Sequence, residues 1–157
     1  MKDTAPFFTP INGSKLKIGI VVAKWNNEVT TGLLVGALQA LTECKVLEKN
    51  ITVVDVAGSY ELPYAARILM KSKKRKFDAV ITLGCLIKGE TMHFEYIASS
   101  VAQGLMELNV DEDIPVVFGV LTCLNEKQAK VRSRGKSNHG YGWGYTAVEM
   151  ALLKTKF

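Results

Sequence analysis

What the sequence lacks narrows its class first. No apolar run approaches the ~18 residues of a membrane-spanning helix, so no membrane partner is expected. Cysteine is sparse: Cys44, Cys85 and Cys123 are three in number and far apart. An odd, scattered set gives neither a disulfide framework nor a pairwise metal site. No His, Cys, Asp or Glu cluster has metal-ligand spacing, so no metal is expected. Residues 1–10 carry no signal-peptide hydrophobic core. With no export signal read there, a reducing cytoplasm is the expected location. Repeats and linkers are also missing. The 157 residues therefore suit one domain over residues 15–157, preceded by an extended segment over residues 1–14.

What is present is ordinary for a soluble globular protein: 48% apolar and 22% charged residues. The net charge of +5 raises nucleic-acid binding as a possibility. The densest basic run is Lys71-Ser72-Lys73-Lys74-Arg75-Lys76. No aromatic residue interleaves with it, so it offers no stacking platform. It reads as a solvated loop whose cations complement a helix C-terminus. No nucleic-acid partner is expected, and small anionic substrates explain the remaining basic bias equally well.

In chain order, Phe7, Phe8 and Ile11 lie among prolines and would be stranded on a monomer, so they are expected to dock on a neighbouring subunit. Residues 17–23 form a strand buried on both faces. Asn27 is a candidate cap for a helix over 28–44, in which Gly32 and Gly36 imply close packing against another element. Residues 51–56 form a second strand, and Glu61-Leu62-Pro63 opens a helix to about Met70. A third strand over 78–83 is ended by Gly84. The spacing of Phe94, Ile97, Ala98, Val101, Leu105 and Leu108 predicts a helix over 91–109. A fourth strand spans 114–120, and Asn125 caps a helix over 126–134. Residues 135–144 read as a glycine-rich loop before a last helix over 145–156. Short apolar strands alternating with helices imply an α/β fold. We expect a three-layer sandwich, a four-stranded parallel sheet with helices on both faces, in flavodoxin-like winding. Ligands bind such sheets at the carboxyl ends of the strands.

The stretch Leu83–Ile97 carries the most chemistry. It reads as strand, tight turn and helix start, with Gly84 and Gly89 in the turn. Free amides at a helix start suit an anion, above all phosphate, and His93 lies within one turn of it, placed to move protons. The spacing of Gly84 and Gly89 mimics a nucleotide P-loop, but Glu90 stands where that loop needs Lys and would repel the β/γ-phosphates. ATP is excluded on that ground. The other loops add an aromatic plane at Trp25, an amide at Asn26, and Ser59, Tyr60 and Glu61. Phe118 is set to reach the same face, and Arg132 or Arg134 could clamp an anion. Together these suggest a flat heterocycle held beside a phosphorylated small molecule. Trp25 and Phe118 could equally be core residues.

These stretches resemble the lumazine synthase family of riboflavin biosynthesis. The resemblance rests on Lys-Ile-Gly-Ile-Val-Val at 17–22, Gly58–Pro63, Gly84–Phe94, Val117–Thr122, Gln128-Ala129, Arg132 and Glu149-Met150-Ala151, over about residues 15–153. It implies a transferase without a cofactor. The 5-amino group of 5-amino-6-ribitylamino-2,4-pyrimidinedione attacks the ketone of 3,4-dihydroxy-2-butanone 4-phosphate. Phosphate and water leave, giving 6,7-dimethyl-8-ribityllumazine. By position, Trp25 would stack on the pyrimidine, and Asn26, Ser59, Tyr60 and Glu61 would surround the ribityl chain. Cys85, Leu86, Ile87 and Phe118 would flank the ring. Glu90 and Thr91 would seat the phosphate with their amides, Arg132 and His139 would pair with it, and His93 would move protons. The resemblance also implies homopentamers, in some members built into sixty-subunit shells, with active sites between subunits. Two departures stand out: Lys88 where the family usually has Arg, and Asn138-His139-Gly140 where it usually has Asn-Lys-Gly. A non-catalytic flavin or lumazine carrier on the same fold is the alternative.

Overall fold

The computed structural model describes residues 8–157. Residues 1–7, including Phe7, lie outside the described part, so the expected extended segment over 1–14 is described only from residue 8. The elements run β1 (Ile18–Ala23), α1 (Asn27–Glu43), β2 (Ile51–Val56), α2 (Leu62–Met70), β3 (Ala79–Ile87), α3 (His93–Asp111), β4 (Val116–Cys123), α4 (Glu126–Arg132) and α5 (His139–Lys154). The four strands form one parallel sheet in the order β2-β1-β3-β4. β1, with all six residues buried, is central, and β2 and β4 are the edges. A strand buried on both faces has no polar side, which is why its sequence runs Ile-Gly-Ile-Val-Val-Ala without alternation.

Alternate side chains feed two cores. Ile18, Ile20 and Val22 of β1 and Ile81, Leu83 and Cys85 of β3 meet α1 and α5 through Leu33, Ala37, Leu41 and Val148. Val21 and Val80, pointing the other way, meet α2 and α3 through Leu62, Ala66, Val101 and Leu105. The expected three layers are present. Among the described residues no helix is long and apolar enough to cross a membrane.

The structure departs from the sequence reading at its glycines. Gly84 does not end the third strand. β3 continues to Ile87, paired with β4 through Gly84↔Val120 and Ile87↔Cys123. A Cβ at Gly84 would fall 2.5 Å from Ser59 Oγ, so the glycine serves close approach rather than a turn. Most of the expected loop over 135–144 is likewise helical, because α5 starts at His139 with the Asn138 side chain accepting from the Gly140 amide. The glycines there lie against α1: a Cβ at Gly140 would sit 1.9 Å from the Leu33 carbonyl oxygen and one at Gly144 2.6 Å from that of Ala37. The helix cost of glycine, about 1 kcal/mol each, is offset by this helix–helix contact. Asn138 also donates to the Gly32 carbonyl at 2.8 Å, and its side chain fills the space beside Gly36. Phe8 and Ile11 pack on this chain's own core, Phe8 with its ring 4.7 Å from that of Tyr145, rather than standing free for a neighbour.

Candidate active site

The order β2-β1-β3 places a topological switch point between β1 and β3, where an open parallel sheet leaves a crevice beyond its strand ends. A cavity of about 700 Å³ lies there, within the range of small-molecule sites. The loop after β1 supplies Trp25 and Asn26, the turn after β2 supplies Gly58, Ser59, Tyr60 and Glu61, the end of β3 supplies Cys85, Leu86 and Ile87, and α3 supplies His93 and Ile97. Nine of the expected site residues thus converge on one space, and Gly58 and Ile97 join them. Ile97 was legible only as a core position of its helix, since spacing alone does not say that the first turn of α3 borders a cavity.

Each wall has a local cause. Trp25 is 73% exposed, so its indole faces the cavity instead of packing in the core. It lies against Gly58, where a Cβ would meet its ring at 3.1 Å. Asn26 adopts the left-handed conformation (φ 58, ψ 45), which asparagine tolerates better than most residues. It occupies the cap position of α1, one residue before the expected Asn27. Its side chain makes no capping bond there, because Nδ2 donates instead to the Cys85 carbonyl at 2.9 Å. Asn26 therefore fixes the end of β3 beside the cavity. Glu61 accepts from the Gly58 amide at 2.9 Å and closes the turn after β2. Ser59 is 4% exposed, and its hydroxyl has no hydrogen-bond partner among the described residues. A buried hydroxyl without a partner calls for an explanation, and a polar ligand in the cavity supplies one. Burial pushes the Cys85 thiol up to about 12, with the nearby Cys123 adding to the shift, so Cys85 is a wall and not a nucleophile.

His93 is the first residue of α3 and stands exposed at the cavity border, its amide 3.4 Å from Thr91 Oγ1. Just before it, Glu90 and Thr91 lie on an exposed turn. The remaining expected residues fall elsewhere. Arg132 and His139 line a separate depression of about 220 Å³ with Thr122, Cys123, Gln128 and Trp143. Arg132 donates to the Gln128 carbonyl at 3.1 Å, and the His139 ring sits edge-on to Trp143 at 5.7 Å. Phe118 does not reach the main cavity. It lies on the edge strand β4, 40% exposed. Residues 121–125, the end of β4 and the turn after it, do not line the main cavity.

A profile of the family described as 6,7-dimethyl-8-ribityllumazine synthase matches residues 15–155. The chain belongs to that family. Among similar proteins of this name, one from Pyricularia oryzae is 42% identical over 180 aligned positions, covering 91% of this chain and 90% of the relative. One from Flavobacterium psychrophilum is 44% identical, covering 98% and 78%, and one from Schizosaccharomyces pombe is 44% identical, covering 90% of each. The lumazine synthase match thus spans both the main cavity and the depression beside β4.

Proposed function

We propose that this chain is the transferase that condenses 5-amino-6-ribitylamino-2,4-pyrimidinedione with 3,4-dihydroxy-2-butanone 4-phosphate to 6,7-dimethyl-8-ribityllumazine in riboflavin biosynthesis. The observation that carries the reading is the main cavity: an exposed indole, a buried hydroxyl with no partner among the described residues, and a histidine border one space large enough for a ribityl pyrimidine. Trp25 stacks on the ring, and Ser59, Tyr60 and Glu61 hold the ribityl hydroxyls. Cys85, Leu86 and Ile87 bind the ring edge through their backbone.

The ring's 5-amino group adds to the ketone and loses water to form an imine. His93 then takes the proton on the carbon next to the imine, and phosphate leaves. A histidine is suited to this, since it can accept and return a proton near neutral pH. The carbonyl of the remaining fragment closes on the ribitylamino nitrogen, and a second water leaves. The amides of Glu90 and Thr91 seat the phosphate, and Arg132 and His139 compensate its charge as it departs.

Phe118, Arg132 and His139 lie on the β4 side and not in the main cavity. Their placement supports a site completed between subunits, in which a neighbour offers its β4 edge to the cavity. Both surfaces carry exposed apolar side chains, Trp25 and Tyr60 on one and Phe118, Leu124 and Val131 on the other. A head-to-tail contact closes into a ring when its rotation divides the circle, and a pentamer is the ring proposed.

The test is turnover of the purified chain with both substrates, read as lumazine formation and phosphate release. Product is expected from the native chain, and His93→Ala should slow it by about 10²- to 10⁴-fold. No product, with tight binding of a ribityl heterocycle, would make the protein a carrier instead. Arg132→Ala should chiefly impair use of the phosphorylated ketone. A defect confined to the pyrimidine would remove Arg132 from the phosphate site.

A further inference from the structure

The turn between β3 and α3 is the least supported part of the proposed site. The Lys88 amide donates to the Cys123 carbonyl at 2.9 Å and ends the sheet contacts. From Gly89 to Met92, no amide donates to a backbone carbonyl among the described residues. All four residues are exposed. A Cβ at Gly89 would meet nothing within 4 Å, so packing does not hold the turn either. Yet the amides proposed to seat a phosphate belong to this turn, and an anion seat works only if its donors are already aimed.

Besides the local bond from the His93 amide to Thr91 Oγ1, a side-chain contact spans the turn. Lys88 Nζ forms an ion pair and hydrogen bond with Glu95 Oε1, joining the first residue before the turn to the first turn of α3. Glu95 is half-buried, and its other oxygen, Oε2, is buried with no hydrogen-bond partner among the described residues. Hydrogen bonding from Lys88 holds its carboxyl below the usual carboxylate range. Without Lys88, that carboxylate would stand unbalanced two residues from His93 and repel an arriving anion.

We infer that the Lys88–Glu95 pair is a positioning latch, holding the turn at 89–92 in the shape that binds the substrate phosphate. The inference rests on the reading of the phosphate site given above. Both side chains act through the turn's amides and do not touch the substrate. This separates the latch from the simpler idea that Lys88 is a phosphate ligand. A ligand lysine would be freed by loss of its carboxylate partner, whereas a latch fails when either half is removed.

The test is steady-state kinetics on the full chain with Lys88→Met, Glu95→Gln, the double variant and Lys88→Arg, beside direct titration with inorganic phosphate. Misplaced donors should raise KM for the phosphorylated ketone roughly tenfold in each single variant, with kcat and the pyrimidine KM within about twofold. The double variant should be no worse than either single one, because both break the same contact. Lys88→Arg should restore the native values. Phosphate affinity should follow the same pattern. If Glu95→Gln tightens phosphate while Lys88→Met weakens it, Lys88 is a direct ligand and the latch is wrong. Unchanged constants in all variants, or equal losses for both substrates, would also overturn it. A native chain that binds phosphate through an intact latch but makes no lumazine would sink the proposed function and leave the latch standing.

Discussion

The Ser59 hydroxyl sits where stability and binding pull apart. It is buried with no partner among the described residues, and leaving such a group unsatisfied costs about 1–3 kcal/mol. Ser59→Ala should therefore raise stability by about 1 kcal/mol in urea unfolding while raising KM for the ribityl pyrimidine. A gain in stability with unaltered KM would take Ser59 out of the ribityl contacts. Cys85 behaves in the opposite way, as chemistry suppressed by its surroundings. Its thiol, pushed up to about 12 by burial, holds almost no thiolate at pH 8. Iodoacetamide at that pH should leave native Cys85 unlabelled, and labelling should follow unfolding, read by mass spectrometry of the cysteine peptides. Burial raises Cys44 and Cys123 as well.

At the scale of elements, the α1–α5 seam is the most exacting contact. A methyl at Gly140 would collide with backbone 1.9 Å away, which cannot move as a side-chain end can. Gly140→Ala should cost about 3 kcal/mol, the upper end of the usual range for overpacking, whereas Gly89→Ala, with open space around it, should cost under about 0.5 kcal/mol. Thermal or urea unfolding of the two variants checks both values. The same seam marks where sequence reading stopped. Pattern found all four strands, and their alternation with helices a parallel sheet, because buried strands and amphipathic helices carry their burial in their pattern. It misjudged Gly84 and residues 139–144, because glycine looks the same whether it bends a chain or lets two elements touch. The close packing around Gly32 and Gly36 was legible, but the partner element was not. At the site, Trp25, Ser59, Glu61 and His93 were found through loops that follow strands. That Phe118, Arg132 and His139 lie apart from them depends on β4 being an edge, which sequence order does not reveal.

The whole molecule presents half of its proposed site on each of two surfaces. If neighbours complete one another, His93→Ala subunits keep a sound β4 edge and Arg132→Ala subunits keep a sound cavity. Dissociated and reassembled together at equal amounts, the two inactive variants should regain about a quarter of native turnover, since that share of head-to-tail contacts pairs one intact half with the other. No recovery in mixed assemblies would place the site within a single chain. The seam between α1 and α5 has its own consequence for how the protein is made. α1 leaves the ribosome before the helix that flanks it on the same face of the sheet, α5, has been made. Until α5 emerges, Leu33, Ala37 and Leu41 have the sheet beneath them but not the α5 residues that complete their cluster, such as Val148. Synthesis thus passes through a sticky intermediate until α5 emerges. A message cut short before codon 139 should yield aggregate or chaperone-bound chain rather than a smaller soluble protein.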